Sequence, residues 1–561
     1  MPEAFRHWII IARVTAWIVC ALCVAPVTPA EEPPLPERLA RLIETTPGFP
    51  DRPAPPTNDA DFHRRVRLDV TGLIPTADEA RRFIKEENPS KRVWLVDELL
   101  GSPAYARHMQ NTIDVLLMQN RAPRYVKRDA WDNYLYTSFL ENKPWDQLVR
   151  ELFTADGTKD EDKAAIRFIV DRRGGSSEIV RDISTVLLGK NLRCAQCHDH
   201  PIVMTYEQSH FYGIAAFIDR SYVFQPVKDG PAYIGEKAEG ETKFVSALTQ
   251  VGGTAVPTVF DSTPIVEPTL EKGTEYIVAP SKDKLAVPKF SRRSQLAPTL
   301  INHPAFARNI VNRLWAMVMG RGIVEPVDFH HKDNPPSHPA LLDLLAREFV
   351  ASKYDLQALL RELLLTKTYA RAAQAESSES PFAPNLFAAQ QLRPLAPRSL
   401  AWSLLRATGR ESAAANENSP DGSQEKKQST ETTTLTRETI VYNRLRTEAA
   451  AIAKTFLTSL EGQEEQTDAT PDQALFLMNS ETVVQWLQPA PGNLIDRLSQ
   501  VNGTDRLGEH LFLSILGRFP DAEERQRVRS YLESLDAKDR DEGLADLAWA
   551  LLCSAEFRFN H

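Results

Sequence analysis

The stretch that decides the fold is Ser102–Met118, which reads SPAYARHMQNTIDVLLM. Serine followed by proline is typical of a helix start, because Ser102 supplies an N-cap side chain and Pro103 suits the first helical position. Apolar residues then recur at helical spacing as far as Met118. A near copy, His303–Met319, reads HPAFARNIVNRLWAMVM. The two stretches predict a mainly α fold in which one helical unit is used twice.

A weaker echo pairs Gly72–Glu79 (GLIPTADE) with Gly517–Glu524 (GRFPDAEE). Each is followed by a helical pattern that ends in Leu-Leu-x-Ser-x-x-aromatic, at Leu99–Tyr105 and at Leu551–Phe557. Common helix-start residues explain this second echo about as well as duplication does.

Hydrophobic periodicity divides the chain into two helical domains separated by a small insert. Residues 31–61 form a Pro-rich lead-in, and residues 62–220 form the N-terminal helical domain. Residues 221–293 are rich in Gly, Pro, Thr and Val, which indicates a β-rich insert. Residues 294–561 form the C-terminal helical domain, and we expect its polar segment 411–434 to be a disordered loop.

Residues 1–30 predict a signal peptide. A weakly basic start is followed by an apolar run over 14–24 and by small residues at 28–30, just before Glu31. A retained membrane anchor is the alternative, but Arg13 interrupts the apolar run, which falls short of the ~20 residues of a spanning helix. We therefore expect a secreted or periplasmic protein with no transmembrane segment after signal cleavage.

The net charge of −9 disfavours nucleic acid as a partner. Lys and Arg are interspersed with Asp and Glu and form no basic stripe, so an anionic membrane surface is not indicated either.

Cys194-Ala195-Gln196-Cys197-His198 has the C-x-x-C-H spacing of covalent haem attachment. The two thiolates can each add to one porphyrin vinyl group, and His198 is then placed as the proximal iron ligand. Of the five cysteines, Cys20 and Cys23 lie in the predicted signal. The remaining one, Cys553, is expected to be a small buried apolar residue of a helix over 545–552.

Three alternatives to haem remain open for this motif, which is expected to lie between helices over 178–188 and 206–218, the latter capped by Thr205. Zinc could be held by Cys194 and Cys197 with two of three histidines, namely His198, His200 and His210. A disulfide between the two cysteines is the second alternative. A thioredoxin-like redox pair is disfavoured because no βαβ pattern surrounds the motif.

The sixth ligand of a haem iron is not evident from the sequence. Met204 is the first choice as distal ligand because it is near in sequence, whereas His200 is too close to His198 to cross to the other haem face. The further candidates are His210, Met109 and Met118. An open sixth position would point towards small-ligand binding or redox catalysis.

The chain resembles two planctomycete domains of unknown function that usually occur together. The first is the planctomycete cytochrome C type domain, which is similar in RRVRLDVTGLIPT (64–76), CAQCHDHP (194–201) and FYGIAAF (211–217). The second is its C-terminal companion, which is similar in NIVNRLW (309–315), GRG (320–322), PPSHP (335–339) and SAEFRFNH (554–561). The resemblance implies secretion and a c-type haem motif, without a settled activity.

The chain departs from the second domain at His330 and His331, where glycine is more usual. With Asp333 and His338 they could form a metal cluster, but a Ser337 cap on a helix starting at Pro339 explains this stretch without a metal.

Two functions from different classes follow from these residues. The first is an exported c-type haem protein that exchanges electrons with a partner in the cell envelope. The alternative is a non-redox binding or scaffold protein in which zinc or a disulfide stabilises the Cys194 region. No hydrolase, phosphate-binding or dinucleotide motif is present, so the sequence leaves open whether the protein is an enzyme.

Overall fold

The computed structural model describes residues 32–172, 175–373, 382–416, 437–456 and 471–561. The predicted signal peptide, 1–30, and most of the predicted disordered loop, 417–434, lie outside the described residues. Helices dominate the described residues, and this confirms the mainly α prediction.

The helices of the first half, in chain order, are α1 (Leu35–Glu44), α2 (Asp59–Thr71), α3 (Ala77–Lys85), α4 (Lys91–Leu100), α5 (Pro103–Met118), α6 (Arg128–Leu140), α7 (Trp145–Thr154), α8 (Arg167–Val170), α9 (Ser176–Asp182) and α10 (Gln208–Ile218). Those of the second half are α11 (Arg292–Asn302), α12 (Pro304–Met319), α13 (Pro339–Ala351), α14 (Leu356–Leu364), α15 (Pro397–Ala407), α16 (Arg410–Asn416), α17 (Arg437–Phe456), α18 (Pro471–Asn479), α19 (Glu481–Trp486), α20 (Leu494–Ser499), α21 (Thr504–Ile515), α22 (Ala522–Glu533), α23 (Arg540–Leu552) and α24 (Ala555–Arg558).

Short strands form two-stranded antiparallel sheets. Three of these sheets lie in the predicted β-rich segment, where β1 (Ser221–Phe224) pairs with β2 (Tyr233–Glu236), β3 (Thr242–Val245) with β4 (Gly252–Ala255), and β5 (Tyr276–Val278) with β6 (Val287–Pro288). A fourth sheet pairs β7 (Arg393–Pro394) with β8 (Phe559–Asn560), and of these two strands β8 lies at the C-terminal end of the sequence.

The two similar stretches fold alike. Helices α5 and α12 both have 16 residues and begin with proline. Ser102 caps α5 by accepting a hydrogen bond from the Tyr105 backbone N–H, as predicted. His303 takes the same place before α12, where its Nδ1 accepts from the Ala305 N–H.

The second echo also has a structural counterpart. Reciprocal capping boxes start α3 at Thr76 and Glu79 and start α22 at Asp521 and Glu524. Ser102 and Ser554 occupy equivalent positions later in the two stretches. Each Oγ donates to a carbonyl three residues earlier, and each serine caps the following helix. The structure therefore supports a reused helical unit.

The hydrophobic cores do not divide at residue 293. One cluster of buried apolar side chains extends from Leu39 to Phe387, so helices α11 to α14 pack with the N-terminal helices. A second cluster extends from Leu395 to Phe557 and also includes Leu68 and Ile74. Helix α2 and the turn that follows it thus lie at the junction of both cores.

Local features differ from the sequence predictions at several points. Residues 411–416 belong to α16, because Glu411 pairs with Arg406 and Ala414 is buried. Helix α10 begins at Gln208 and is capped by Glu207, not by Thr205.

The predicted Ser337 cap is also wrong. Its Oγ donates to the Ile323 carbonyl at 3.1 Å, and His338 precedes α13 without a side-chain cap bond. Cys553 lies at the C-terminal end of α23, half-buried rather than buried.

Within the described ranges, we find no helix with the length and apolar character needed to cross a membrane.

Candidate functional site

The C-x-x-C-H motif forms a single tight turn. Residues Cys194–Gln196 are one turn of 3-10 helix between a π-helical turn, Ile183–Leu187, and helix α10. The Cys197 N–H donates to the Cys194 carbonyl at 3.2 Å and closes the turn. Both thiols are free and exposed. The turn therefore presents two accessible sulfur atoms that are separated by two residues.

Main-chain carbonyls hold this turn in place. The Gln196 carbonyl accepts from the Gln208 side-chain amide at 3.2 Å and from the Tyr212 hydroxyl at 3.1 Å. The Cys197 carbonyl accepts from the Ala247 N–H, beyond strand β3, at 2.8 Å. Helix α10 and the β3–β4 hairpin thus form hydrogen bonds to backbone carbonyls of the motif. These bonds leave the cysteine thiols exposed and unbonded.

His198 follows with one ring nitrogen engaged. Its Nδ1 lies 2.6 Å from the Asp199 carbonyl oxygen. A carbonyl can only accept a hydrogen bond, so the proton is on Nδ1 and the lone pair of the neutral ring is on Nε2. A histidine that ligates a metal commonly donates its other ring N–H to a carbonyl in this way.

His200 and His210 have the opposite arrangement. The His200 Nδ1 accepts from the backbone N–H groups of Ile202 and Val203 at 3.2 and 2.9 Å. The His210 Nδ1 accepts from the Glu207 N–H at 3.2 Å. In both rings the neutral tautomer therefore carries its proton on Nε2. Burial lowers the pKa of each histidine from its ordinary value.

No group of three or more His, Cys, Asp or Glu side chains in the described part of the chain could hold a metal ion. The predicted zinc ligands Cys194, Cys197, His198, His200 and His210 thus lie on neighbouring elements without forming such a group.

Exposed apolar side chains occur close to the motif in the chain and in space. Ile202 and Met204 lie in the loop after it and are 75% and 72% exposed. Leu248 follows the Ala247 contact to Cys197 and is 73% exposed. By contrast, the other methionines considered as iron ligands, Met109 and Met118, are buried in α5.

The loop before α13 packs behind the motif. The Tyr206 hydroxyl donates to the His330 carbonyl at 2.6 Å, and the His330 N–H donates to the Gly189 carbonyl at 2.8 Å. The His331 ring packs against Phe329, with centroids 4.4 Å apart, while His338 packs against Phe387. His331 and His338 therefore serve packing, and the loop at His330 contacts the segments on either side of the motif.

A large cavity of about 1310 Å³ lies away from the motif, and the sequence did not predict it. Most of its wall comes from helices α2, α5, α12, α15, α16, α17, α20 and α21, and the candidate residues around Cys194 do not line it. The available signal was the polar face of α5, which carries Arg107, His108, Asn111 and Thr112. Such a face ordinarily points to solvent, so the pattern alone does not reveal a cavity.

Two family matches cover much of the chain. Residues 51–222 match PSCyt2, described as a protein of unknown function (DUF1549), and residues 292–532 match PSD1, described as a protein of unknown function (DUF1553). The chain combines a PSCyt2 domain with a PSD1 domain. These are the planctomycete cytochrome C type domain and its companion, so the predicted family is confirmed.

No curated protein and no solved structure matches the chain. The C-x-x-C-H turn lies in the PSCyt2 domain, and the loop behind it lies in the PSD1 domain.

Proposed function

We propose that the protein is an exported c-type haem protein that exchanges electrons with a partner in the cell envelope. The observation that carries this proposal is the arrangement of His198 beside two free, exposed thiols. Its Nδ1 hydrogen bond to the Asp199 carbonyl leaves the Nε2 lone pair available for iron.

The residues present fit a covalently attached haem. Cys194 and Cys197 would form the two thioethers, and His198 would be the proximal ligand. A bound haem would supply one-electron redox chemistry at its iron. The exposed side chains of Ile202, Met204 and Leu248 offer apolar surface beside the motif, where a porphyrin face would otherwise meet water.

The chain's own residues would set the properties of such a centre. The Asp199 carbonyl would hold the His198 ring in one tautomer and raise its basicity. The contacts of Gln208 and Tyr212 to the Gln196 carbonyl would keep the turn rigid. Met204 is the candidate for the distal position, because it is exposed and follows the motif by only six residues.

Zinc is a weaker candidate for the same residues. Coordination through Nε2 of His200 or His210 would require the loss of their present hydrogen bonds to backbone N–H groups. We therefore keep a structural zinc site, or a Cys194–Cys197 disulfide, as outcomes of the experiment rather than as a second proposal.

The signal peptide predicted over residues 1–30 supports the proposal, because c-type haem is attached outside the cytoplasm. N-terminal sequencing of protein from the native host is expected to begin near Glu31, whereas an intact Met1 would contradict cleavage.

The experiment that tests the proposal is expression with export and a haem-attachment system, followed by haem staining after denaturing electrophoresis. The unaltered protein should keep its colour. Cys194→Ser and Cys197→Ser should each weaken the attachment, while Cys553→Ser is the matched control and should leave it intact. His198→Ala should change the visible spectrum of the iron, since ligation and thioether formation are separate contributions. A colourless, unaltered protein would contradict the proposal.

A further inference from the structure

The large cavity lies between the PSCyt2 and PSD1 domains. One face of helix α5 forms part of its wall. Arg107, His108, Asn111, Thr112, Val115 and Leu116 line it. These positions recur with helical spacing, so they share one side of the helix. Across the cavity lie residues of α12, α15, α17, α20 and α21. One face of α5 therefore forms part of the cavity wall, while the Arg107 guanidinium also stacks on the rings of Tyr136 and Tyr442.

The size of this space suits a ligand. Protein interiors are close-packed, and ligand pockets typically measure roughly 300–1,000 Å³. The cavity, at about 1310 Å³, exceeds this range and has room for an organic molecule together with water. Much of its wall is apolar, including Met109, Leu314 and Met317. An aromatic pair adds a flat surface, since Trp402 stacks on Tyr442 with ring centroids 5.5 Å apart.

The charge of the wall differs in sign from that of the whole chain. The chain carries −9, yet six arginines and five carboxylates line the cavity, a formal excess of one positive charge. Four of the arginines form ion pairs: Arg393 with Asp69, Arg406 with Glu411, Arg107 with Glu438 and Arg398 with Asp114. Arginine, with its planar fork of N–H donors, suits the oxygen atoms of an acid group.

Arg497 also lines the cavity and makes no ion pair with a carboxylate of the described residues. Its guanidinium Nη1 donates to the Gly492 carbonyl at 3.0 Å. The carboxylates of Asp78 and Asp496 also line the wall and interact electrostatically with Arg497, and the Asp496 side chain accepts from the Gly492 N–H at 2.8 Å. A side chain with this single neutral contact has N–H donors left for a ligand.

His108 supplies a second polar group. Its ring lies so close to Gly72 that a Cβ there would come within 2.6 Å of Nδ1, and Gly72 has a φ of +69°. The ring makes no hydrogen bond or ion pair with another described residue. Burial lowers the pKa of His108 to about 4, so the ring is neutral at pH 7. The neutral ring, which lines the cavity, carries one donor and one acceptor nitrogen.

We infer that this cavity binds an organic anion with an apolar body, whose acid group is held by Arg497 and whose further polar atom is met by His108. The inference does not rest on haem, because the motif residues do not line the cavity.

The test uses two probes that differ only in an acid group, 8-anilino-1-naphthalenesulfonate and uncharged N-phenyl-1-naphthylamine. Equilibrium dialysis against the full exported chain measures the affinity of each. The sulfonate should bind with one probe per chain and about tenfold more tightly than the uncharged analogue, as one charged hydrogen bond provides.

Arg497→Gln should weaken sulfonate binding about tenfold and leave the uncharged probe unaffected. Arg525→Gln is the matched control, because Arg525 also contacts a single backbone carbonyl, that of Pro520, but lies outside the cavity. Ala316→Trp fills the space from α12 and should weaken both probes at least tenfold. Thr112→Trp fills the same cavity from α5. This variant is used instead if thermal unfolding shows that Ala316→Trp is misfolded.

Equal sulfonate affinity in the unaltered protein and in Arg497→Gln would overturn the assignment of the acid group. Unchanged binding of both probes in a folded filling variant would overturn the site itself.

Discussion

At the scale of single residues, one buried carboxylate joins distant parts of the chain. Asp69 in α2 accepts from the Tyr369 hydroxyl at 2.7 Å, from the Arg393 guanidinium at 2.9 Å and from the Asn560 amide at 2.8 Å. The Asp69 side chain is buried, so water cannot readily take its place as hydrogen-bond acceptor for these partners. Asp69 therefore ties the PSCyt2 domain to residues 300 to 491 positions further along.

Replacement of this carboxylate is expected to be costly. Asp69→Ala leaves the Arg393 guanidinium without its carboxylate, and loss of one partner of a buried ion pair typically costs about 3–5 kcal/mol. Asp97→Ala is the matched control, because Asp97 pairs with Arg361 on the surface, where such pairs contribute about 1 kcal/mol or less. Urea unfolding of both variants measures the difference, and equal losses would contradict the importance of burial.

A buried histidine makes stability depend on pH. His63 is 1% exposed, and burial lowers its pKa from 6.5 to about 3. The unfolded chain takes up a proton below pH 6.5 while the folded chain does not, so stability is complete above pH 6.5 and falls as the pH drops towards 3.

His63→Gln removes this dependence but keeps an acceptor for the Arg67 Nε, which lies 3.0 Å from the His63 Nε2. Between pH 8 and pH 5, the unaltered protein should lose about 2 kcal/mol more free energy of unfolding than the variant does. Identical losses would show that His63 is protonated in the folded state.

The sequence predicts Cys194, Cys197 and His198 as site residues, which stays a prediction, but it does not show the contacts that hold them. Cys194, Cys197 and His198 are adjacent, so their spacing is visible in the chain. The anchors Tyr212 and Ala247 lie further along the chain, and only the packing of the β3–β4 hairpin against α10 brings Ala247 to the motif. The tautomer of His198 likewise depends on backbone geometry that residue spacing does not specify.

At the scale of elements, one helix start was predicted correctly because its cause is local, whereas the caps predicted at Thr205 and Ser337 are wrong. The Ser102 cap and the start of α5 follow from neighbouring residues alone. Helix α16 was missed because its stability comes from elsewhere, namely the pairing of Glu411 with Arg406 and the burial of Ala414. A polar composition predicts disorder only where no tertiary contact compensates for it.

Two serines at helix starts allow a matched comparison of capping. Ser102 accepts from the Tyr105 N–H, whereas Ser90 precedes α4 without any side-chain cap bond. Ser102→Ala should lower the free energy of unfolding by about 1 kcal/mol, and Ser90→Ala should change it by less than about 0.5 kcal/mol. Thermal unfolding of the two variants checks this, and equal shifts would mean that the cap contributes nothing specific.

At the scale of the whole molecule, the sequence families and the hydrophobic cores have different boundaries. The PSD1 match begins at residue 292, but the first core continues to Phe387. Periodicity shows which residues are buried without showing which helices they meet, so the sequence placed a boundary where composition changes. Helices α11 to α14 complete the core around the helices of the PSCyt2 domain.

This shared core predicts how fragments behave. A fragment of residues 32–290 lacks α11 to α14 and leaves the apolar faces of its own helices exposed, so it should aggregate or unfold without a cooperative transition. A fragment of residues 32–394 keeps the whole first cluster and should unfold cooperatively. Circular dichroism during heating distinguishes them, and a cooperative transition in the shorter fragment would contradict a shared core.

The measurement that tests the haem proposal most directly is the intact mass of the exported protein under denaturing conditions. The account predicts a mature chain from about Glu31 onward that carries the added mass of one haem, and Cys194→Ser with Cys197→Ser should abolish the addition. Zinc would be lost on denaturation, and a disulfide would lower the mass by two hydrogens. An unmodified mass from cells that attach haem to another exported cytochrome would contradict the account.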